Sequence, residues 1–218
     1  MKILNLFSGI GGNRELWKNE YEITAVEYDE KIAKLYSERF PKDKMIIGDA
    51  YEYLEKNYQE FDIIWASPPC VTHSRININF NQTWNIRLPD LKLYSIIIFL
   101  KQWFKGNWIV ENVIPFYSPL IKPSCIRGRH CYWSNVAIPS DKKKRIREVG
   151  CHHSKKYLST LNPKQQTKEK FSKIVRNKVN SMEGKILLDY LIHKNQKSIF
   201  DYNINDNTKT LNTNKDIY

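Results

Sequence analysis

Residues 61–75 read FDIIWASPPCVTHSR. Phe61, Ile63, Ile64 and Trp65, interrupted only by Asp62, form a short apolar run with the length and composition of a buried strand. Pro68 and Pro69 then end the ladder, because neither has an N–H to donate, and they stiffen the chain just ahead of Cys70. A residue in that place sits at the carboxyl end of a strand, where open α/β sheets keep their chemistry. A lone cysteine there is more often a buried structural thiol. The paired prolines and the polar Thr72, His73, Ser74 and Arg75 that follow make Cys70 a candidate nucleophile instead.

Working toward the N-terminus, the chain repeats one unit, in which a strand ends in a turn suited to a ligand. Lys2 to Phe7 reads as the first strand, followed by Ser8-Gly9-Ile10-Gly11-Gly12 and a predicted helix over Asn13 to Asn19. Glycines let the backbone approach a ligand closely, and strand, glycine turn and helix together form a nucleotide-type site. Arg14 stands where a dinucleotide fingerprint has its third glycine, which argues against NAD. A second strand, Glu22 to Val26, runs into Glu27-Tyr28-Asp29. A helix is predicted over Glu30 to Phe40, then a third strand over Lys44 to Ile47 that runs into Gly48-Asp49. Either acid alone would more often be a helix cap. A glycine turn and two acids at three successive strand ends make a coherent site for an adenosine-containing ligand.

On the other side of Cys70, Ile76 to Arg87 is asparagine-rich and without periodicity, a long loop beside the site. Leu91 to Phe104 is predicted helical, and Asn107 to Val110 is a fifth strand leading into Glu111-Asn112-Val113. A carboxylate directly after an apolar strand is costly without a partner or a task.

The whole-chain properties narrow the classes. At 218 residues with 41% hydrophobic content, the chain is long enough for one α/β domain with its own core, and no apolar run reaches membrane-spanning length. The N-terminus has no small-residue cleavage site, and the four cysteines form no C-x-x-C pair. Both point to an intracellular, cytoplasmic protein with free thiols. The net charge is +12, and residues 141–178 hold thirteen Lys or Arg against three Asp or Glu, so the excess is concentrated in one segment. Such a segment suits a polyanion, although a solvated surface has the same composition. Cys125, Cys131, Cys151, His152 and His153 contain metal-ligand chemistry, but their spacing fits no regular zinc pattern, and no metal is expected.

LFSGIGG, the acid of VEYDE, GDA, SPPC and VENV occur in an order and spacing that resemble the cytosine-5 DNA methyltransferase family. The resemblance runs continuously through about the first two thirds of the chain. It implies a class I methyltransferase fold, Rossmann-like and doubly wound, with a mostly parallel sheet and helices on both faces. It also implies S-adenosylmethionine as methyl donor, S-adenosylhomocysteine as product, and carbon 5 of a flipped cytosine in duplex DNA as acceptor. The matching positions would then be Cys70 as nucleophile and Glu111 as the group holding the base. The donor pocket would comprise Phe7, Ser8, Gly9, Gly11, Gly12, Glu27 on the ribose, Tyr28 beside the adenine, Asp49 on its amino group, Ala50 and Pro68. Arg127 and Arg129, with His130 sharing the role, match a paired-arginine motif that contacts the base. Asn177 and Val179 match a final Asn-x-Val motif that completes the pocket.

The chain departs from the family at Asn5, where an aspartate is usual, at His73-Ser74, which replaces an aromatic-serine pair, and at Arg176, which replaces a glycine. The expected organisation is a core over 1–140, a short basic segment over 141–170 in place of a target-recognition domain, a C-terminal helix over 171–195 and a mobile tail over 196–218. With so little between Trp133 and Asn177, base reading would fall to Asn77, Asn79, Asn81 and Gln82 or to a specificity-giving partner protein. Transfer RNA as substrate, or a catalytically silent nucleic-acid binder, are the competing readings.

Overall fold

The computed structural model describes residues 1–75, 88–141 and 179–193. Its centre is a seven-stranded sheet made of β1 (Lys2–Leu6), β2 (Glu22–Glu27), β3 (Lys44–Ile47), β4 (Ile63–Ala66), β5 (Asn107–Val113), β6 (Cys125–Arg127) and β7 (His130–Ser134). The spatial order is β3-β2-β1-β4-β5-β7-β6. The first five strands are parallel, and the β6–β7 hairpin closes the edge antiparallel to β5. Strand order reverses between β1 and β4, so a crevice opens there at the carboxyl ends, where doubly wound sheets bind ligands. Doubly wound class I architecture is thus what the chain adopts.

The helices are α1 (Glu30–Arg39), α2 (Ala50–Asn57), α3 (Lys92–Trp103) and α4, residues 181–193. Alternate residues of the strands face opposite layers, which is why the strands read as continuous apolar runs. Leu4, Leu6, Ile64, Ala66, Trp108 and Val110 pack with α2 and α3 through Leu54, Leu93, Ile96, Ile97 and Leu100. Ile3, Ile63, Trp65, Ile109 and Tyr132 pack with Trp17 and with Leu187, Leu188 and Leu191 of α4. Full burial of each such leucine contributes about 1.5–3 kcal/mol, which fixes α4 to the sheet. None of the helices in the described residues is long and apolar enough to cross a membrane.

The predicted helix over Asn13 to Asn19 is a correction: only a single turn, Asn13–Leu16, forms. Its side chains are consumed by tertiary bonds instead. Arg14 is buried and paired bidentately with buried Asp43, Nε to Oδ2 at 2.8 Å and Nη2 to Oδ1 at 3.0 Å. Its Nη1 donates to the Trp17 carbonyl, and the Tyr36 hydroxyl donates to Asp43. Arg14 therefore locks the glycine turn to the loop before β3, and deleting one partner of such a pair costs about 3–5 kcal/mol. Gly184 at the head of α4 lies against this turn, and a Cβ there would stand 2.4 Å from the Asn13 carbonyl oxygen. Helix α2 has no counterpart in the expectations above, because its short AYEYLEKN stretch carries little periodic signal.

Candidate active site

Four strand ends converge on the crevice between β1 and β4. After β1, Phe7 and Gly9 both have φ +55° and Gly11 has φ +75°. A non-glycine residue in the left-handed region is strained and persists only where the surroundings demand it. Here the Phe7 ring is held edge-on against Tyr51, centroids 5.1 Å apart. The space around Gly9 is open, whereas a Cβ on Gly11 would meet the Phe40 ring at 2.3 Å. The turn is therefore packed from behind and open in front.

Glu27 ends β2 and fastens this turn: its Oε2 accepts from Gly9 N–H at 2.9 Å and its Oε1 from Asp29 N–H at 3.1 Å. A carboxylate has about four acceptor positions, so Glu27 retains capacity for ligand hydroxyls. Next to it Tyr28 is 79% exposed and Ile47 is 55% exposed, an apolar shelf at the mouth. Asp49 caps α2, its Oδ1 accepting from Tyr51 and Glu52 N–H, and Asp29 caps α1 likewise. The Ser8 hydroxyl is buried within the turn without a hydrogen-bond partner. An orphaned buried donor, an open glycine and an exposed aromatic beside a carboxylate together fit a nucleoside-bearing ligand such as S-adenosylmethionine. Asn5, at the aspartate position, forms a buried amide pair with Asn13, whose Nδ2 donates to Asn5 Oδ1 at 2.8 Å.

Across the crevice lie Cys70 and Glu111. The turn carrying Cys70 is fixed by Asn112, whose Nδ2 donates to the Pro68 carbonyl at 3.0 Å. Pro115 and Phe116 bridge to Ser74 and His73. Glu111 is 6% exposed, hydrogen-bonded to Ser67, with its Oε1 3.4 Å from His130 Nε2. Burial holds the Glu111 carboxyl above the ordinary carboxylate range, against the pull of His130 and Ser67. Burial, and secondarily the Glu111 charge, pushes the Cys70 thiol up. Glu111 follows Val110, the partner of Ala66 on the adjacent strand, so the two groups stand at neighbouring strand ends.

The candidates around β6 and β7 divide. His130 faces Glu111, but Arg127 forms a close ion pair with Glu183 of α4 and donates to the Pro139 carbonyl. This is a correction to its expected place on the base: the Arg127 guanidinium ties the hairpin to α4. Arg129 lies exposed in the hairpin turn and its carbonyl accepts from Ile114 N–H. Pro68 lies between the two halves of the site, and Ala50 is buried at the start of α2. Val179 is buried beneath α4 with Leu187. Asn177, the loop residues Asn77, Asn79, Asn81 and Gln82, and the 142–170 part of the basic segment lie outside the described residues, as do residues 194–218.

Sequence reasoning missed Asn112 as the lock on the Pro-Pro turn, Tyr117, which hydrogen-bonds His73, and Tyr94, which hydrogen-bonds Tyr117. Only the adjacency of Asn112 to Glu111 pointed to it. Among the described residues no cluster of His, Cys, Asp and Glu could hold a metal ion, and Cys151, His152 and His153 lie outside them. A concavity lined by Tyr58, Phe61, Trp103 and Phe104 lies where β4 and β5 begin, at the opposite end of the strands from Cys70.

The sequence model of the C-5 cytosine-specific DNA methylase family matches residues 1–113. Among solved structures, a mutant DNMT2 of Spodoptera frugiperda is 21% identical over 67% of this chain and 55% of its own, with a TM-score of 0.45. A DNA modification methyltransferase encoded within an E. coli prophage is also 21% identical, over 54% of this chain and 33% of its own, with a TM-score of 0.37. A SAM-dependent methyltransferase of Agrobacterium tumefaciens is 16% identical over 54% and 40%, with a TM-score of 0.36. The chain thus spans about half the length of the insect protein and a third of the prophage one. No curated protein matches the sequence.

Proposed function

We propose that this chain, which belongs to the C-5 cytosine-specific DNA methylase family, methylates carbon 5 of cytosine in DNA through a covalent adduct on Cys70. The observation that carries the reading is the placement of Cys70, just past β4, beside Glu111 on the adjacent strand β5, with Asn112 bonded to the Pro68 carbonyl, across the crevice from the glycine turn and Glu27. S-adenosylmethionine, when bound, supplies the methyl group as an electrophile on its sulfonium. The residues that would hold it are Phe7 through Gly12, Glu27 on the ribose, Tyr28 and Ile47 on the adenine, and Asp49.

A protonated Glu111 matches the edge of cytosine. Its O–H can donate to ring nitrogen 3, an acceptor, and its other oxygen can accept from the exocyclic amine. Uracil presents the reverse pattern. A neutral Glu111 also relieves the charge that raises the Cys70 thiol, so the base and the thiolate are prepared together. Cys70 first gives its thiol proton to solvent; the thiolate then adds to carbon 6, the 5,6 double-bond electrons shift toward carbon 5 and the ring, and Glu111 delivers its proton as negative charge develops on nitrogen 3. Carbon 5 is then nucleophilic. After methylation, solvent takes the carbon 5 proton, the 5,6 double bond re-forms as the carbon 6–sulfur bond breaks, the thiolate leaves, and nitrogen 3 returns its proton to Glu111. The target must leave the stack to meet both groups, so base flipping is part of the proposal. The basic 141–178 segment supplies a phosphate-binding surface that confers affinity without sequence information.

The test is methyl transfer to duplex DNA and to transfer RNA, measured side by side, with covalent trapping on DNA containing 5-fluorocytosine. Transfer to DNA and a trapped complex at Cys70 are expected. Transfer to RNA alone would move the reading to the tRNA substrate, and absence of trapping would remove the covalent step.

A further inference from the structure

We propose that His73 is a positioning residue for Cys70, acting through a partly buried hydrogen-bond chain that fixes the turn carrying the thiol; its catalytic consequence rests on the covalent reading above. His73 is 1% exposed. Its own N–H donates to the Cys70 carbonyl at 3.0 Å and that of Ser74 does so at 3.1 Å, so residues 70–74 form one closed turn.

A chain of side chains runs behind this turn. Leu120 N–H donates to Tyr94 Oη at 3.2 Å, and Tyr94 O–H donates to Tyr117 Oη at 3.3 Å. Tyr117 Oη lies 2.6 Å from His73 Nδ1. A neutral imidazole that accepts at Nδ1 carries its proton on Nε2, and the ring also hydrogen-bonds the Asp90 backbone. Asp90 N–H in turn donates to Thr72 Oγ1 at 3.1 Å, and Phe116 N–H to the His73 carbonyl at 3.1 Å. Three separate segments therefore meet at one ring: the nucleophile turn, the stretch after β5 and the head of α3. Burial lowers the His73 pKa and keeps this neutral tautomer in place.

An apolar ring of similar size would fill the same space without the cost of burying three polar groups. A buried polar chain is tolerated only when every member is satisfied, and it then allows a single arrangement. That uniqueness is what a nucleophile on a loop requires, since supporting groups must hold a reacting atom to within a fraction of an ångström.

Tyr117→Phe removes one hydroxyl and keeps both rings, and His73→Phe removes the chain's end point. In the full-length protein without DNA or donor, alkylation of Cys70 by iodoacetamide is followed by peptide mass spectrometry. Both variants are expected to raise its rate at least about fivefold, with the melting temperature of Tyr117→Phe within a few degrees of wild type. His73→Asn, whose amide still reaches toward Tyr117, is expected to return the rate to within about twofold. Trapping on 5-fluorocytosine DNA should fall at least about tenfold in the two phenylalanine variants while S-adenosylmethionine affinity is unchanged. Cys70 alkylation within twofold of wild type in both variants, or a rise that occurs only in a variant that has lost global stability, overturns the proposal. A clear rise in alkylation with no trapping even in wild type leaves the positioning role standing and removes the covalent reading instead.

Discussion

The crevice between β1 and β4 joins two half-sites built on opposite principles. On the β1–β3 side the recognition groups are a glycine turn in left-handed backbone, a carboxylate fastened to that turn, and an aromatic ring standing in solvent. On the β4–β7 side they are side chains withdrawn from water, a thiol and a carboxyl both pushed toward neutrality by burial. The first half can take a charged, flexible ligand without reorganising. The second holds its reactive groups where burial favours their neutral forms. Both halves draw support from distant elements, but of different kinds. The glycine turn is held by the carboxylates of Glu27 and, through Arg14, Asp43, whereas the Cys70 turn is held by the Asn112 amide and by backbone bonds from Pro115 and Phe116.

The largest effect should come from separating the halves at the reacting atom. Cys70→Ala is expected to lower methyl transfer by at least about 10³-fold, as loss of a nucleophile does, while S-adenosylmethionine affinity by calorimetry stays within about threefold of wild type. Loss of donor affinity together with activity would mean that the halves are not separate. From the other side, Glu27→Ala should weaken donor binding by about 1.5–3 kcal/mol, the cost of hydrogen bonds to a charged group, and leave the rate of Cys70 alkylation unchanged. Unaltered donor affinity would take Glu27 out of the pocket.

The two halves were also unequally legible in the sequence. Strands β1 to β5 follow from apolar runs ending in glycine, acid or proline, because in a parallel sheet the chemistry sits where the run stops. Glu27, Asp49, Cys70 and Glu111 could be singled out for that reason. Arg14 was seen only as a misplaced glycine, because its partner Asp43 is 29 residues away and nothing local announces a buried ion pair. Arg127 was read from its motif alone, yet the helix bearing Glu183 takes its guanidinium. His73 looked like a simple departure from a pattern, since Tyr94 and Tyr117 enter from different elements. Contacts made by folding, rather than by neighbours in the chain, were what the sequence withheld.

The smallest effect tests the neutrality of Glu111, and its sign can be worked out. Burial raises the Glu111 pKa in the folded state, whereas the unfolded chain returns it to the ordinary value of about 4.3. A group of this kind contributes stability that is complete below the unfolded pKa and is lost as pH rises through the folded one. Glutamine imitates the protonated acid and cannot ionise, so Glu111→Gln escapes that loss. The variant should melt close to wild type at pH 5 and above it at pH 8, by about 2–4 °C for each kcal/mol involved. The His130 contact, which favours the ion, limits the gap. Glutamine can still donate to ring nitrogen 3 and accept from the amine, so base binding should survive while turnover drops for lack of a transferable proton. A variant that melts below wild type at pH 8 would show that Glu111 is stabilised as a carboxylate, and the contrast between the two half-sites would then rest on Cys70 alone.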